Sequence, residues 1–179
     1  MMIQDNFMKK SNNGILFWIT GFSGSGKTQL AKKIHSKITK EYGTTILFSG
    51  DDIRRIFKLK GYTTKDRLET VMKYCKLSKF ITSQNINVLF AVIGMIDEVR
   101  DWNRKNIKNY VEIYIKSDLK KIIRKNKKKI YHLNKKNIVG IDIKPEYPKK
   151  PDIIVKNDFK KDINLLSKEL IQKIKKITN

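Results

Sequence analysis

Residues 21–28 read Gly21-Phe22-Ser23-Gly24-Ser25-Gly26-Lys27-Thr28 and match the pattern G-x-x-x-x-G-K-[ST] in full. In such a loop the glycines allow a tight turn, so that successive backbone N–H groups point inward at phosphate oxygens. Lys27 then reaches the β- and γ-phosphates, and the Thr28 hydroxyl is the ligand for Mg²⁺. The pattern needs a buried strand before it and a helix after it. Ile15-Leu16-Phe17-Trp18-Ile19 is an uninterrupted apolar run, and Leu30, Ala31, Ile34 and Ile38 recur at helical spacing up to Gly43. The chemistry expected here is binding of ATP or a similar triphosphate.

The elements that must position this loop follow in alternation. Thr45–Phe48 reads as a second strand ending at Ser49-Gly50-Asp51-Asp52, and helical stretches follow at 53–58 and 65–84. Asn87–Ile93 is a third strand, 97–105 a helix, Tyr110–Ile115 a fourth strand, and 118–125 a helix. Residues 126–150 are Lys-rich with two of the three prolines and read as a mobile lid. Ile153–Val155 is a last strand and 159–177 a closing amphipathic helix. The expectation is one α/β domain over residues 1–179: a three-layer α/β/α fold with a mostly parallel five-stranded sheet, a polar tail over 1–13 and the lid.

Composition excludes several classes. Apolar residues make up 40% of the 179, enough to bury a core. One cysteine, Cys75, allows no internal disulfide, and the separated His35 and His132 form no zinc pattern. No apolar run is long enough to span a membrane, and residues 1–13 lack a signal peptide's apolar centre, so the expected compartment is the cytoplasm. The formal charge is +23, with six Arg among 40 basic residues. That excess reads either as a site for a polyanion or as a solvated Lys-rich surface, and net charge alone does not decide. Few arginines and no base-reading motif argue against a nucleic-acid-binding or polynucleotide kinase module. The guanine-reading N-K-x-D is absent, and motor and transporter ATPases are far longer. A short chain with a lid fits a small-molecule kinase, in which closure keeps water from the transferred phosphoryl group.

Asp51 stands just after a strand, at the sheet edge where the phosphate loop also opens. A carboxylate there can accept an acceptor hydroxyl's proton and aim the oxygen at the γ-phosphorus. It can instead cap the following helix, for which Asp52 is the better candidate. Arg54 and Arg67 offer planar forks suited to phosphate or sulfate oxygens. Arg100 and Arg104, four apart, share a helix face and either contact substrate or brace the helix end.

Beyond the phosphate loop the chain resembles the adenylylsulfate (APS) kinase family over roughly residues 16–155. The resemblance rests on Phe17-Trp18-Ile19-Thr20 running into the loop, Gly50-Asp51-Asp52-Ile53-Arg54, Gly61-Tyr62-Thr63-Thr64-Lys65-Asp66-Arg67, Arg100-Asp101-Trp102-Asn103-Arg104 and Gly140-Ile141-Asp142. It implies a MgATP-dependent kinase acting on a nucleotide's ribose 3′-hydroxyl, with APS the leading acceptor and sulfate assimilation the role. It further implies Asp51 and Lys27 as catalytic residues, Arg124 near the ATP base, and Arg54, Tyr62, Arg67, Thr70, Ile93, Gly94, Lys128 and Ile138 around the acceptor. Tyr62 would stack on the acceptor base. The family often forms dimers, so a homodimer is the implied assembly.

Five positions depart from the family pattern. Ser49 replaces the first Asp of D-G-D, Gly94-Met95 replaces Ser-Pro, Thr70 replaces an acceptor-contacting Asn, Lys125 replaces an Asp in the lid, and Ile138 falls where a second aromatic completes a sandwich around adenine. Four of the five concern the acceptor or the lid, while the ATP loop is intact. A stacked base gains on the order of 1–3 kcal/mol per aromatic contact, so losing one ring weakens the grip on a purine. The alternative acceptor is therefore a cytidine diphosphate derivative, as in the related cytidine diphosphoramidate kinases of capsule polysaccharide modification.

Overall fold

The computed structural model describes residues 13–125 and 136–178. Five strands, β1 (Leu16–Thr20), β2 (Thr45–Ser49), β3 (Asn87–Ala91), β4 (Tyr110–Lys116) and β5 (Ile153–Lys156), form one sheet in the order β2-β3-β1-β4-β5. Every pairing is parallel, so the sheet is wholly rather than mostly parallel. Helices α1 (Lys27–Tyr42), α2 (Gly50–Ile56), α3 (Thr64–Thr82), α4 (Asp97–Asn106), α5 (Leu119–Arg124) and α6 (Ile163–Thr178) supply the connections and covers.

Alternation along the strands splits the core in two. Phe17, Ile19, Leu89, Ile113 and Val155 pack against Leu30, Ile34 and Ile38 of α1 and Leu166, Leu170 and Ile174 of α6. Leu16, Trp18, Val88 and Phe90 face the other way, onto Val71, Tyr74 and Cys75 of α3 and Val99 of α4. Helices on both faces are what an all-parallel sheet requires, and both central strands β1 and β3 are buried throughout. Strand order reverses around β1, and the phosphate loop leaves β1 at that switch point.

Three boundaries differ from expectation, each for a local reason. Helix α2 begins at Gly50 because Ser49, not Asp52, is its N-cap: the Ser49 hydroxyl accepts from the Asp52 backbone N–H at 3.2 Å and donates to the Asp52 carboxylate at 2.7 Å. Asp51 thereby lies inside the first turn of α2. Helix α6 starts at Ile163 rather than at Phe159, whose φ of +64° is incompatible with a helix. Strand β3 ends at Ala91, two residues early, although Val92 still donates to the Ile19 carbonyl at 2.9 Å.

Candidate active site

The phosphate loop turns between β1 and α1. Gly26 adopts a left-handed φ of +96° at the N-terminus of α1, leaving the first helical N–H groups unencumbered by a capping side chain. Lys27 is buried and its Nζ donates to the Phe22 carbonyl at 2.6 Å, folding the side chain back over the loop. Phe22 and Ser25 are buried, Phe22 in a small cluster with Met95, Tyr114, Ile122 and Val139. These two hold the turn rather than line its mouth. Gly21, also buried, has the Ile115 carbonyl 2.7 Å from where a Cβ would stand.

A residue not singled out from sequence completes the loop. Asn157, buried just after β5, donates from Nδ2 to the Ser25 carbonyl at 3.0 Å, while its Oδ1 accepts from the Phe159 N–H at 3.0 Å. The signal that could have found it is its position: a polar residue directly after a parallel strand lies on the sheet edge where ligands bind.

Two cavities meet beside the loop. The first, about 360 Å³, is lined by Ser23, Gly24, Gly26, Lys27, Thr28 and, across from them, Ser49, Asp51 and Asp52. The second, about 270 Å³, lies between α3, α4 and residues 139–146 and includes Arg54, Arg67, Tyr74, Ile93, Gly94 and Glu98. Gly50, Asp51, Val92 and Ile93 face both. A group bound in one cavity is therefore adjacent to a group bound in the other at Asp51, the arrangement that transfer between two bound substrates demands.

The donor set of the first cavity suits Mg²⁺. Thr28, Asp51 and Asp52 offer hard oxygen ligands, and no cluster of three His, Cys, Asp or Glu exists among the described residues. That matches an ion held by one or two protein oxygens with phosphates and water supplying the rest. Hydrogen bonds from Ser49 and then from Arg55 hold the Asp52 carboxyl below the usual range.

The second cavity is shaped by arginines. Arg54 donates to the Leu59 and Gly61 carbonyls at 3.3 and 3.1 Å, and Arg67 to the Tyr62 and Asn137 carbonyls at 3.0 and 2.8 Å. Both guanidiniums also lie over the Tyr62 ring, 4.6 and 5.3 Å from its centroid. Burial, then the nearby Arg54, lowers the pKa of Arg67. Two cations converging on one wall prepare it for an anion.

Arg100 and Arg104 prove to be braces. Arg100 is buried and donates to the Gly94 carbonyl at 3.1 Å and the Glu146 carbonyl at 2.9 Å, while pairing with Asp97 and with buried Glu112. It thereby ties two walls of the second cavity together. Arg104 pairs with Glu112 at 2.9 Å and with Asp152. Burial pushes the Glu112 carboxyl up, against the pull of the two arginines.

Other expected site residues sit elsewhere. Tyr62 is exposed and its ring, occupied by the two guanidiniums, does not line the cavity; Thr70 and Ile138 are buried behind the wall, where Val71, Tyr74, Val139 and Ile143 face inward instead. Helical periodicity and the 138–143 turn decide this: the Ile138 carbonyl accepts from the N–H groups of 141, 142 and 143. Arg124 is exposed on α5 and faces neither cavity. Lys128 and His132 lie outside the described residues. Glu98, Lys144 and Glu146 line the cavity without having been singled out, because their sequence context is that of ordinary surface charge.

A cytidine diphosphoramidate kinase of Campylobacter jejuni is 34% identical over 167 residues, covering 91% of this chain and 98% of the relative. An adenylyl-sulfate kinase of Clostridium kluyveri is 30% identical over 153 residues, covering 82% of this chain and 77% of the relative. Among solved structures, the Mycobacterium tuberculosis APS kinase in complex with AMPPNP and APS shares the fold, with a TM-score of 0.81, 23% identity, and coverage of 91% of this chain and 98% of that one. No helix among the described residues is long and apolar enough to cross a membrane. The adenylylsulphate kinase family model matches residues 13–156, and the chain belongs to that family of ATP-dependent phosphotransferases.

Proposed function

We propose that this protein transfers the γ-phosphoryl group of MgATP to the ribose 3′-hydroxyl of a small nucleotide, and that the nucleotide is a cytidine diphosphate derivative of the phosphoramidate type. The observation that carries the transfer is the meeting of two cavities at Asp51. Lys27 and the loop N–H groups hold the phosphates of ATP, and Thr28 with Asp51 would hold Mg²⁺, which neutralises phosphate charge when bound. Asp51 accepts the proton of the acceptor hydroxyl and orients its oxygen. Arg54 and Arg67 hold the acceptor's anionic groups.

Support for the cytidine acceptor comes from the cavity wall. Among the described residues that line it, Tyr74 is the one aromatic, and its ring is already stacked on Phe90 with centroids 5.1 Å apart. A purine sandwich between two rings finds no second ring among the described lining residues, whereas a pyrimidine needs less stacking area. The C. jejuni relative, matched over nearly its whole length, bears a name of the same kind. APS is the second reading, favoured by the family as a whole.

An ATP-consumption assay run in parallel with cytidine diphosphoramidate and APS tests the choice, the 3′-position of the new phosphate being read by NMR. Turnover of the cytidine compound at a kcat/KM at least tenfold above that of APS is expected. The reverse preference overturns the cytidine reading, and phosphate at another position overturns the 3′-assignment. Lys27→Ala and Asp51→Asn should each lower kcat by about 10²–10⁴-fold.

A further inference from the structure

Three acidic residues gather near the start of α4, of which Glu98 and Glu146 line the second cavity, and their partners differ. Asp97 pairs with Arg100 and with Lys149 at 3.0 Å. The Glu146 carboxylate accepts the backbone N–H of Asp97 at the first turn of α4. The Glu98 side chain is exposed at the same cavity, and its carboxylate makes no hydrogen bond or ion pair with any described residue. It faces the acceptor cavity only, whereas Gly50, Asp51, Val92 and Ile93 face the phosphate side as well.

A carboxylate in a site for an anionic substrate needs a reason. The phosphates of the acceptor are drawn to Arg54 and Arg67, which come from α2 and α3. A carboxylate on the α4 wall repels those phosphates, and the reacting ribose hydroxyl lies at Asp51 where the two cavities meet, so Glu98, which lines the acceptor cavity alone, is left to the base. Toward a base a carboxylate can only accept, and the donor it suits is an exocyclic amine. Cytosine presents such an amine at the position where uracil presents a carbonyl oxygen. That oxygen would meet Glu98 lone pair to lone pair.

We infer that Glu98 is a specificity-determining residue that accepts a hydrogen bond from the exocyclic amine of the acceptor base and rejects bases carrying an oxo group there. This rests on the nucleotide-acceptor reading above and adds to it the chemical class of base. The network around it supports the placement: Arg100 fixes Gly94, Asp97 and the Glu146 carbonyl, so the turn that carries Glu98 is braced on three sides.

The test compares cytidine diphosphoramidate with its uridine counterpart, in wild type and in Glu98→Gln. Wild type is expected to favour the cytidine compound by about tenfold to a hundredfold in kcat/KM, the span of one charge-assisted hydrogen bond. In Glu98→Gln, whose amide can donate to an oxo group as well as accept from an amine, the ratio should fall below about threefold with the KM for ATP unchanged. A wild-type ratio near one, or a ratio preserved in the variant, overturns the inference. A role confined to the first turn of α4 would shift the melting temperature and leave the base ratio untouched. Calorimetric binding of cytidine and uridine diphosphates to the two proteins reads base choice without turnover. Failure of phosphoryl transfer alone would therefore refute the kinase reading, while equal binding of the two bases would refute the role of Glu98.

Discussion

Replacing Arg100 with Ala should destabilise the protein by about 3 kcal/mol and weaken acceptor binding without touching ATP. The magnitude follows from what the side chain holds. Arg100 and Glu112 are 4% and 3% exposed, with Nε and Oε1 3.4 Å apart. Removing one member of a buried pair costs about 3–5 kcal/mol, because the other charge stays buried. The surviving contact of Glu112 with Arg104 at 2.9 Å places the cost toward the lower end. Truncation also strips a donor from the Gly94 and Glu146 carbonyls. For a domain of this size, about 2–4 °C of melting temperature is lost per kcal/mol, so a fall of about 6–12 °C is expected. Urea unfolding with an unchanged m-value would give the free energy directly. Adding Glu112→Gln should restore part of the loss, since it removes a buried charge left with Arg104 as its remaining partner, giving a coupling of about 1–3 kcal/mol. Steady-state kinetics should show the acceptor KM raised several-fold and the ATP KM unchanged. A single-variant loss under about 1 kcal/mol, or strict additivity in the double variant, would refute the reasoning.

Asn157→Ala leaves the Ser25 carbonyl without its donor and should cost about 1–2 kcal/mol while raising the KM for ATP; Asn157→Asp, which sets a carboxylate against that carbonyl and near the phosphates, should raise it further. Gly94→Ala places a Cβ 3.1 Å from the Trp18 Nε1 and 3.2 Å from the Val92 Cγ1 at a φ of +31°, so a loss of about 1–3 kcal/mol in urea unfolding is expected. Burial pushes the Cys75 thiol up to about 12, so a thiol reagent at pH 8 should modify it only at the rate of unfolding, and fast labelling of the native protein would contradict the packing. Burial raises the Glu112 carboxyl above its ordinary 4.5, so the folded state binds the extra proton. Its contribution to stability is present below pH 4.5 and lost as pH rises through the folded value, and Glu112→Gln should flatten that part of the stability–pH curve.

The sequence alone determined whatever depends on local pattern. The phosphate loop is contiguous, its residues are dictated by backbone geometry and phosphate chemistry, and all of it lies in one turn between a buried strand and a helix. The alternation of strands with helices announced a parallel sheet covered on both faces, and the uninterrupted apolar run at β1 announced a strand buried on both. Asp51, Arg54, Arg67, Ile93 and Gly94, expected from the sequence around the acceptor, all line the second cavity.

Tertiary structure decided what depends on which side of an element faces inward. Thr70 and Val71 are neighbours in sequence, yet helical rotation sets the valine on the cavity and the threonine behind it. The 138–143 turn does the same for Ile138 and Val139. Tyr62 lies in a readable motif, but its ring is taken by two arginines that arrive from separate helices. The choice left open for Arg100 resolved to a brace because its partners lie on segments that only folding brings together, Glu112 on β4 and Glu146 beyond it. Buried charge must find its counter-charge within a few ångströms, and those few ångströms are set by the packing of α4 against the sheet, not by spacing along the chain.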